Sequence, residues 1–163
     1  MKFDKEITQQ EIWAALERVK DPEIPVLNVV DMGIITNVET NTNSTTITMT
    51  PTFVGCPAID LMKKSIIDEV ATLGIAVNVL VDFETQWTSD RMKPEAKIKL
   101  EKFGLAPPAT INGELTEEQL NNVRCPHCGS TDTTLRSAFG STLCRAIRFC
   151  FTCKQGFEQF KPV

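Results

Sequence analysis

Cys125-Pro126-His127-Cys128-Gly129 and Cys150-Phe151-Thr152-Cys153 decide how the C-terminal part of this chain folds. Each is a Cys-x-x-Cys pair, a spacing that lets two thiolates turn toward one ion, and Gly129 permits the tight backbone such a knuckle needs. The twenty-one residues between the pairs are rich in short strand-like runs. Four sulfurs satisfy a tetrahedral zinc ion and leave no position for water, so the spacing predicts a structural zinc in a β ribbon over residues 123–163. A module of about forty residues makes too small a core by itself and would draw most of its folding free energy from the ion. Iron suits the same four sulfurs. His127 lies inside a knuckle, where a side chain normally points away from the metal.

Charge separates this segment from what precedes it. Residues 123–163 carry six basic and two acidic side chains, a net of +4, whereas the preceding part carries eleven basic and nineteen acidic ones, a net of -8. Opposite signs point to two domains. The first residues, MKFDKEITQQ, lack a secretory pattern, and no stretch approaches the roughly 18–20 apolar residues of a membrane span, so a cytoplasmic protein is expected. Six cysteines in such a compartment stay reduced and read as metal ligands or reactive thiols rather than disulfides.

Upstream of the ribbon the pattern is mixed. Thr8 and Glu11 form a capping-box signature ahead of Ile12, Leu16 and Val19, which predicts a helix ending near Lys20. Asp21-Pro22-Glu23-Ile24-Pro25 forces a turn. The β-branched runs 33–38 and 45–50 predict a hairpin. A second helix is expected to open at Gly55-Cys56-Pro57 and stop at Gly74, with Met62 in its core face, followed by a strand over 77–83. A third helix is expected over 94–103, closed by Gly104. The order helix, hairpin, helix, strand, helix predicts an α+β domain over 1–104, and the proline-rich, polar stretch 105–122 predicts a linker. Met92 reads as core.

Two further cysteines stand outside the pairs. Cys56 precedes Pro57 at the expected helix start, where backbone N–H groups and the helix dipole favour thiolate over thiol. It reads either as a reactive or metal-transferring thiol or as a cysteine filling a tight loop. Asp21, Glu23 and Asp31 flank the proline-rich turn, where they could lie near that helix start or serve as turn caps. Cys144 reads as a half-buried small residue on a ribbon strand, or as a supporting group beside the ribbon metal or a redox-active thiol.

Asp21-Pro22-Glu23-Ile24-Pro25, Val30-Asp31-Met32-Gly33-Ile34 and Thr50-Pro51-Thr52-Phe53-Val54-Gly55-Cys56-Pro57-Ala58 resemble the domain shared by SufT and the cytosolic iron-sulfur targeting factors, over about residues 8–104. With Gly104-Leu105-Ala106-Pro107-Pro108 and Phe139-Gly140-Ser141-Thr142-Leu143-Cys144, the chain resembles the PaaD (PaaJ) family encoded with bacterial phenylacetyl-CoA epoxidases. Arg148-Phe149 reverses the aromatic-then-basic order expected before Cys150. The resemblance implies an iron-sulfur-assembly-type α/β sandwich and an accessory, non-catalytic role in aerobic phenylacetate breakdown. The implied task is maturing or delivering the iron or iron-sulfur centres of the epoxidase, with a transient iron or cluster as cargo. Cys56 would be the reactive thiol and Asp31 its neighbour. The implied partners are the epoxidase subunits or their iron-sulfur reductase.

Competing functions find less support in the residues. The chain has no G-x-G-x-x-G or Walker loop, no tyrosine, and a single histidine placed in a knuckle, which leaves little for independent catalysis. The net positive ribbon could serve as a docking scaffold or bind nucleic acid, but its basic residues do not read as interleaved with aromatic ones, and the acidic first part would repel phosphate. Homo-oligomerisation is left open.

Overall fold

Thr8 starts the first helix as its spacing predicts. The structure, a computed structural model, describes residues 6–163. In it the Thr8 hydroxyl accepts the Glu11 N–H and the Glu11 carboxylate accepts the Thr8 N–H, which satisfies two free donors of α1 (Gln9–Leu16). Ile12, Ala15 and Leu16 share the buried face. The helix caps at Glu17 rather than near Lys20, because Arg18 and Val19 donate to carbonyls only three residues back and tighten the last turn.

The hairpin forms from β1 (Ile35–Thr40) and β2 (Ser44–Met49), turned by Asn41, whose Oδ1 accepts the N–H groups of Asn43 and Ser44. β3 (Ala76–Val81) joins β2 in parallel, giving the order β1-β2-β3. Parallel neighbours need a crossover, and α2 (Ile59–Ala71) supplies it, burying Met62, Ile66 and Val70 at four-residue spacing. Gly74, at φ +80°, ends that turn. Two boundaries differ from expectation. The helix begins at Ile59 with Ala58 as its N-cap rather than at Cys56, and β3 stops at Val81, leaving Phe83 60% exposed. β2 and β3 therefore end, and α2 begins, at one edge of the sheet. Thr50 Oγ1 donates to Thr85 O at 2.6 Å and Asp82 N–H to Met49 O at 2.8 Å, fastening the two strand ends together.

The chain divides into units 1–86 and 87–163, where the sequence led to the expectation of a boundary at 104 and a linker over 105–122. The second unit contains α3 (Pro94–Phe103), β4 (Leu105–Ala106), α4 (Glu117–Asn121), β5 (Thr133–Ser137), β6 (Arg145–Cys150) and β7 (Gly156–Phe160). Its sheet runs β4-β7-β6-β5, with β4 parallel to β7 and the other pairs antiparallel. Leu100, Leu105 and Ala106 are buried, and Trp87 meets Phe160 with ring centroids 5.9 Å apart. Residues 105–122 are held along their length. Asp90 accepts the N–H groups of Ile111 and Asn112 at 2.8 and 2.9 Å, and Gln119 donates to Thr110 O at 2.7 Å. Arg148, 1% exposed at the centre of β6, donates to the α4 carbonyls of Leu120 and Asn121. A two-residue strand between a helix cap and two prolines is too short to show a period, so it reads as linker.

A metal-loaded fragment 87–163 is expected to melt cooperatively, and more than about 10 °C above a fragment 109–163 that lacks α3 and β4. Equal melting temperatures in calorimetry would show that residues 87–108 are dispensable to the ribbon, as the linker reading requires.

Candidate functional site

Each knuckle turns on one residue in the left-handed region. In the first, Gly129 has φ +77° and donates to Cys125 O at 2.9 Å, while Cys125 N–H donates to Ser130 O at 2.8 Å. In the second, which leaves the end of β6, the equivalent position is Lys154 at φ +60°. Cys125 Sγ lies 3.7 Å from Cys153 Sγ, Cys128 Sγ lies 3.6 Å from Cys150 Sγ, and all four sulfurs fall within 4.8 Å of one another. A tetrahedral ion with metal–sulfur bonds of about 2.3 Å needs edges of about 3.8 Å, so the four can hold such an ion with little adjustment. Ala106, Val123, Cys125, Cys150 and Phe157 form the apolar cluster on this side of the sheet.

As free thiols, Cys150 and Cys153 do not ionise alike. The N–H of Cys153 leads the interactions that hold Cys150 down at about 6, whereas burial pushes Cys153 up to about 12. A divalent cation removes that conflict, since it neutralises the thiolates it binds and releases their protons. His127 is exposed, its ring edge-on to Phe157 at 6.5 Å, and is not part of the sulfur cluster.

Cys56 occupies the loop between β2 and α2, half-buried at the carboxyl edge of the parallel pair. With Ala58 as the N-cap, the cysteine stands two residues before the cap rather than at it. The N–H groups of Ala58 and Ile59 do favour thiolate, but burial, followed by the charges of Glu23 and Asp21, outweighs them and raises the thiol above its ordinary value. Desolvation and the turn acids thus act against the thiolate that the helix start was expected to favour. The turn acids reach the cysteine electrostatically, and Asp21 also caps its own turn, accepting the N–H groups of Glu23 and Ile24 at 2.8 and 2.7 Å. Asp31 is buried and exchanges hydrogen bonds with Asn28, accepting from Nδ2 at 3.1 Å and donating its N–H to Oδ1 at 2.7 Å. Cys144 is buried ahead of β6, with Sγ 3.0 Å from Thr142 Oγ1.

Two features were missed in the sequence. Arg148, which stands out in the sequence only for its order before Phe149, lies inside, on the same strand face as Ala146 and Cys150. Phe149, its neighbour, faces outward, where Arg136 stands 5.2 Å from its ring and 5.9 Å from that of Phe151. Basic and aromatic side chains are therefore interleaved, contrary to expectation. The i, i+2 alternation through Cys150 was the available signal.

Lys154→Gly is expected to stabilise the metal-loaded protein by roughly 0.5–1 kcal/mol, because glycine adopts the left-handed region without a Cβ penalty. Cys128→Ser should release the metal and lower the melting temperature of the second unit. Denaturant titration and metal analysis check both; a destabilised Lys154→Gly would refute the knuckle geometry.

Comparison with known proteins places these sites in context. Residues 9–81 match the iron-sulfur cluster assembly protein family and residues 110–161 match the PaaD zinc beta ribbon domain. A Porphyromonas gingivalis protein described as an Fe-S protein maturation auxiliary factor is 38% identical over 57% of this chain and 90% of its own length. A Bacillus subtilis protein of the same description is 35% identical over 59% of this chain and 96% of its own length. The crystal structure of a domain of unknown function from Bacillus anthracis superposes with a TM-score of 0.53 at 30% identity, covering 56% of this chain and 90% of that one. An Escherichia coli protein described as one of the subunits of 1,2-phenylacetyl-CoA epoxidase is 41% identical over 94% of this chain and 92% of its own length, and the chain belongs to that PaaD family, an iron-sulfur-assembly domain followed by a zinc ribbon.

Proposed function

We propose that this chain is a non-catalytic accessory protein that matures the iron or iron-sulfur centres of a phenylacetyl-CoA epoxidase system in aerobic phenylacetate breakdown. The observation that carries the reading is the position of Cys56. It is a half-buried thiol at the carboxyl edge of a parallel strand pair, the edge where such sheets take ligands, within a unit that matches the iron-sulfur cluster assembly family. Glu23 and Asp21 act on it in two ways. Their charge disfavours the bare thiolate, yet the same charge attracts an incoming ferrous ion or cluster edge. Binding then exchanges a proton for the cargo, and acid reverses it. The client is a component of the epoxidase or its iron-sulfur reductase.

The ion in the ribbon is zinc, and its role is structural, since four sulfurs leave no coordination position for substrate or water. Elemental analysis of protein purified without chelator should find about one zinc per chain. Thiols of this number, none paired in a disulfide, fit a reducing cytoplasm.

Cys56→Ser should keep the fold, with a loss of about 1 kcal/mol or less. Epoxidase subunits from cells carrying it should nevertheless be short of iron and weakly active, while Cys144→Ser cells remain close to normal. Full iron loading with Cys56→Ser would leave docking as the main task. The acid pair gives a second test. Because the carboxylates raise the thiol, Glu23→Gln lowers it, so alkylation of Cys56, followed by peptide mass spectrometry, should reach half its maximal rate at lower pH. In the wild type, iron affinity should rise up to about tenfold per pH unit below the thiol's own value. An unchanged alkylation profile would remove the acids from the site.

A further inference from the structure

We infer that the tip of the ribbon, residues 139–144 with the outward-facing Ile147, is a preorganised docking surface for a protein of the epoxidase system that offers an apolar pocket rimmed by carboxylates. The partner's identity rests on the functional reading above; the surface rests on its own geometry. Phe139, Leu143 and Ile147 are 69%, 47% and 40% exposed, three large apolar side chains within nine residues. Loop tips that only turn the chain favour small polar residues.

This tip is also held in place. Gly140 N–H donates to Arg145 O at 2.8 Å and Arg145 N–H returns to Thr142 O at 3.2 Å. The Glu158 carboxylate clamps both sides, accepting Ser141 N–H at 2.8 Å on one oxygen and Arg145 Nη1 at 2.9 Å on the other. A Cβ on Gly140 would stand 2.8 Å from that carboxylate and 3.0 Å from Arg145 Cβ, so only glycine lets the backbone approach so closely. Ile147 pairs with Glu158 across the strands and shares its face. Apolar side chains presented to water on a fixed backbone lose little entropy on binding, which is the requirement for anchor residues.

Charge selects the partner. Glu158 is matched by Arg145, the Lys161 ammonium donates to Ala138 O at 3.2 Å and stands 5.4 Å from the Phe139 ring, and Arg136 lies beside Phe149 farther along the outward face, so positive charge flanks the apolar patch at both ends. Carboxylates around an apolar pocket complement it. Single-stranded nucleic acid fits less well, because stacking needs open ring faces. Phe149 and Phe151 stand edge to face at 77°, and the cations lie over the rings.

Titration calorimetry of the full zinc-loaded chain against each purified protein of the epoxidase system tests this. Wild type should bind one of them, and Phe139→Ala with Leu143→Ala should weaken binding about 30-fold or more without changing metal content or melting temperature. Lys161→Glu should weaken it several-fold, as should raised salt. Equal binding by the double variant would overturn the surface and leave the maturation reading standing. Failure of wild type to bind any of them would overturn it too, and iron loading of the epoxidase would then judge maturation separately. An oligonucleotide that binds wild type but not the double variant would assign the tip to nucleic acid and refute the protein partner.

Discussion

Convergence of four cysteine sulfurs within 4.8 Å is the constraint on which the second unit depends. Cys125 and Cys128 follow α4, Cys150 ends β6 and Cys153 precedes β7, so an ion shared among them fixes the start of the ribbon to its middle and end. Such a link would help hold the sheet in register. β7 can then receive Leu105 and Ala106 as a fourth strand, and Arg148 can hold the end of α4 from inside the sheet. Arg148 buries a charge against the carbonyl oxygens of α4 and the side chain of Gln159, an arrangement that a loosely closed ribbon would not keep dry.

The first unit is organised by a different constraint, the parallel pairing of β2 with β3. Parallel strands require α2 to cross between them, and the crossover places the loop containing Cys56 at the carboxyl edge. Burial there is the largest influence on the thiol and raises it. Donors at the start of α2 act in the direction of ionisation, but desolvation and the acids of the 21–25 turn act against it and prevail. In the role proposed above, a thiol raised in this way would exchange its proton for cargo, which suits transient holding.

How much of this was legible in the sequence follows from the range of each interaction. The Thr8–Glu11 capping box, the Cys-x-x-Cys knuckles, and α3 between Pro94 and Gly104 were legible because their signals lie within a few residues of one another. β4 was not, since two residues gain strand geometry only by pairing with β7 more than fifty positions away. The burial of Arg148 was not legible for the same reason: which face of β6 is covered depends on packing that no local pattern records, although Cys150 two positions on gave the parity. At Cys56 the favourable half of the electrostatics was local and visible. The opposing half came from Glu23 and Asp21, over thirty residues earlier, and from burial.

The central claim, that this chain hands iron or a cluster to the epoxidase system, is tested most directly by anaerobic transfer. The zinc-loaded protein is charged with isotopically labelled iron and sulfide, separated from excess, and mixed with each iron-depleted protein of the epoxidase system, and Mössbauer spectra of the reisolated proteins are recorded. Labelled centres should appear in one of them within minutes with the wild-type chain and fail to appear with Cys56→Ser. Equal labelling by the two proteins, or none beyond that given by free iron and sulfide, would contradict the claim.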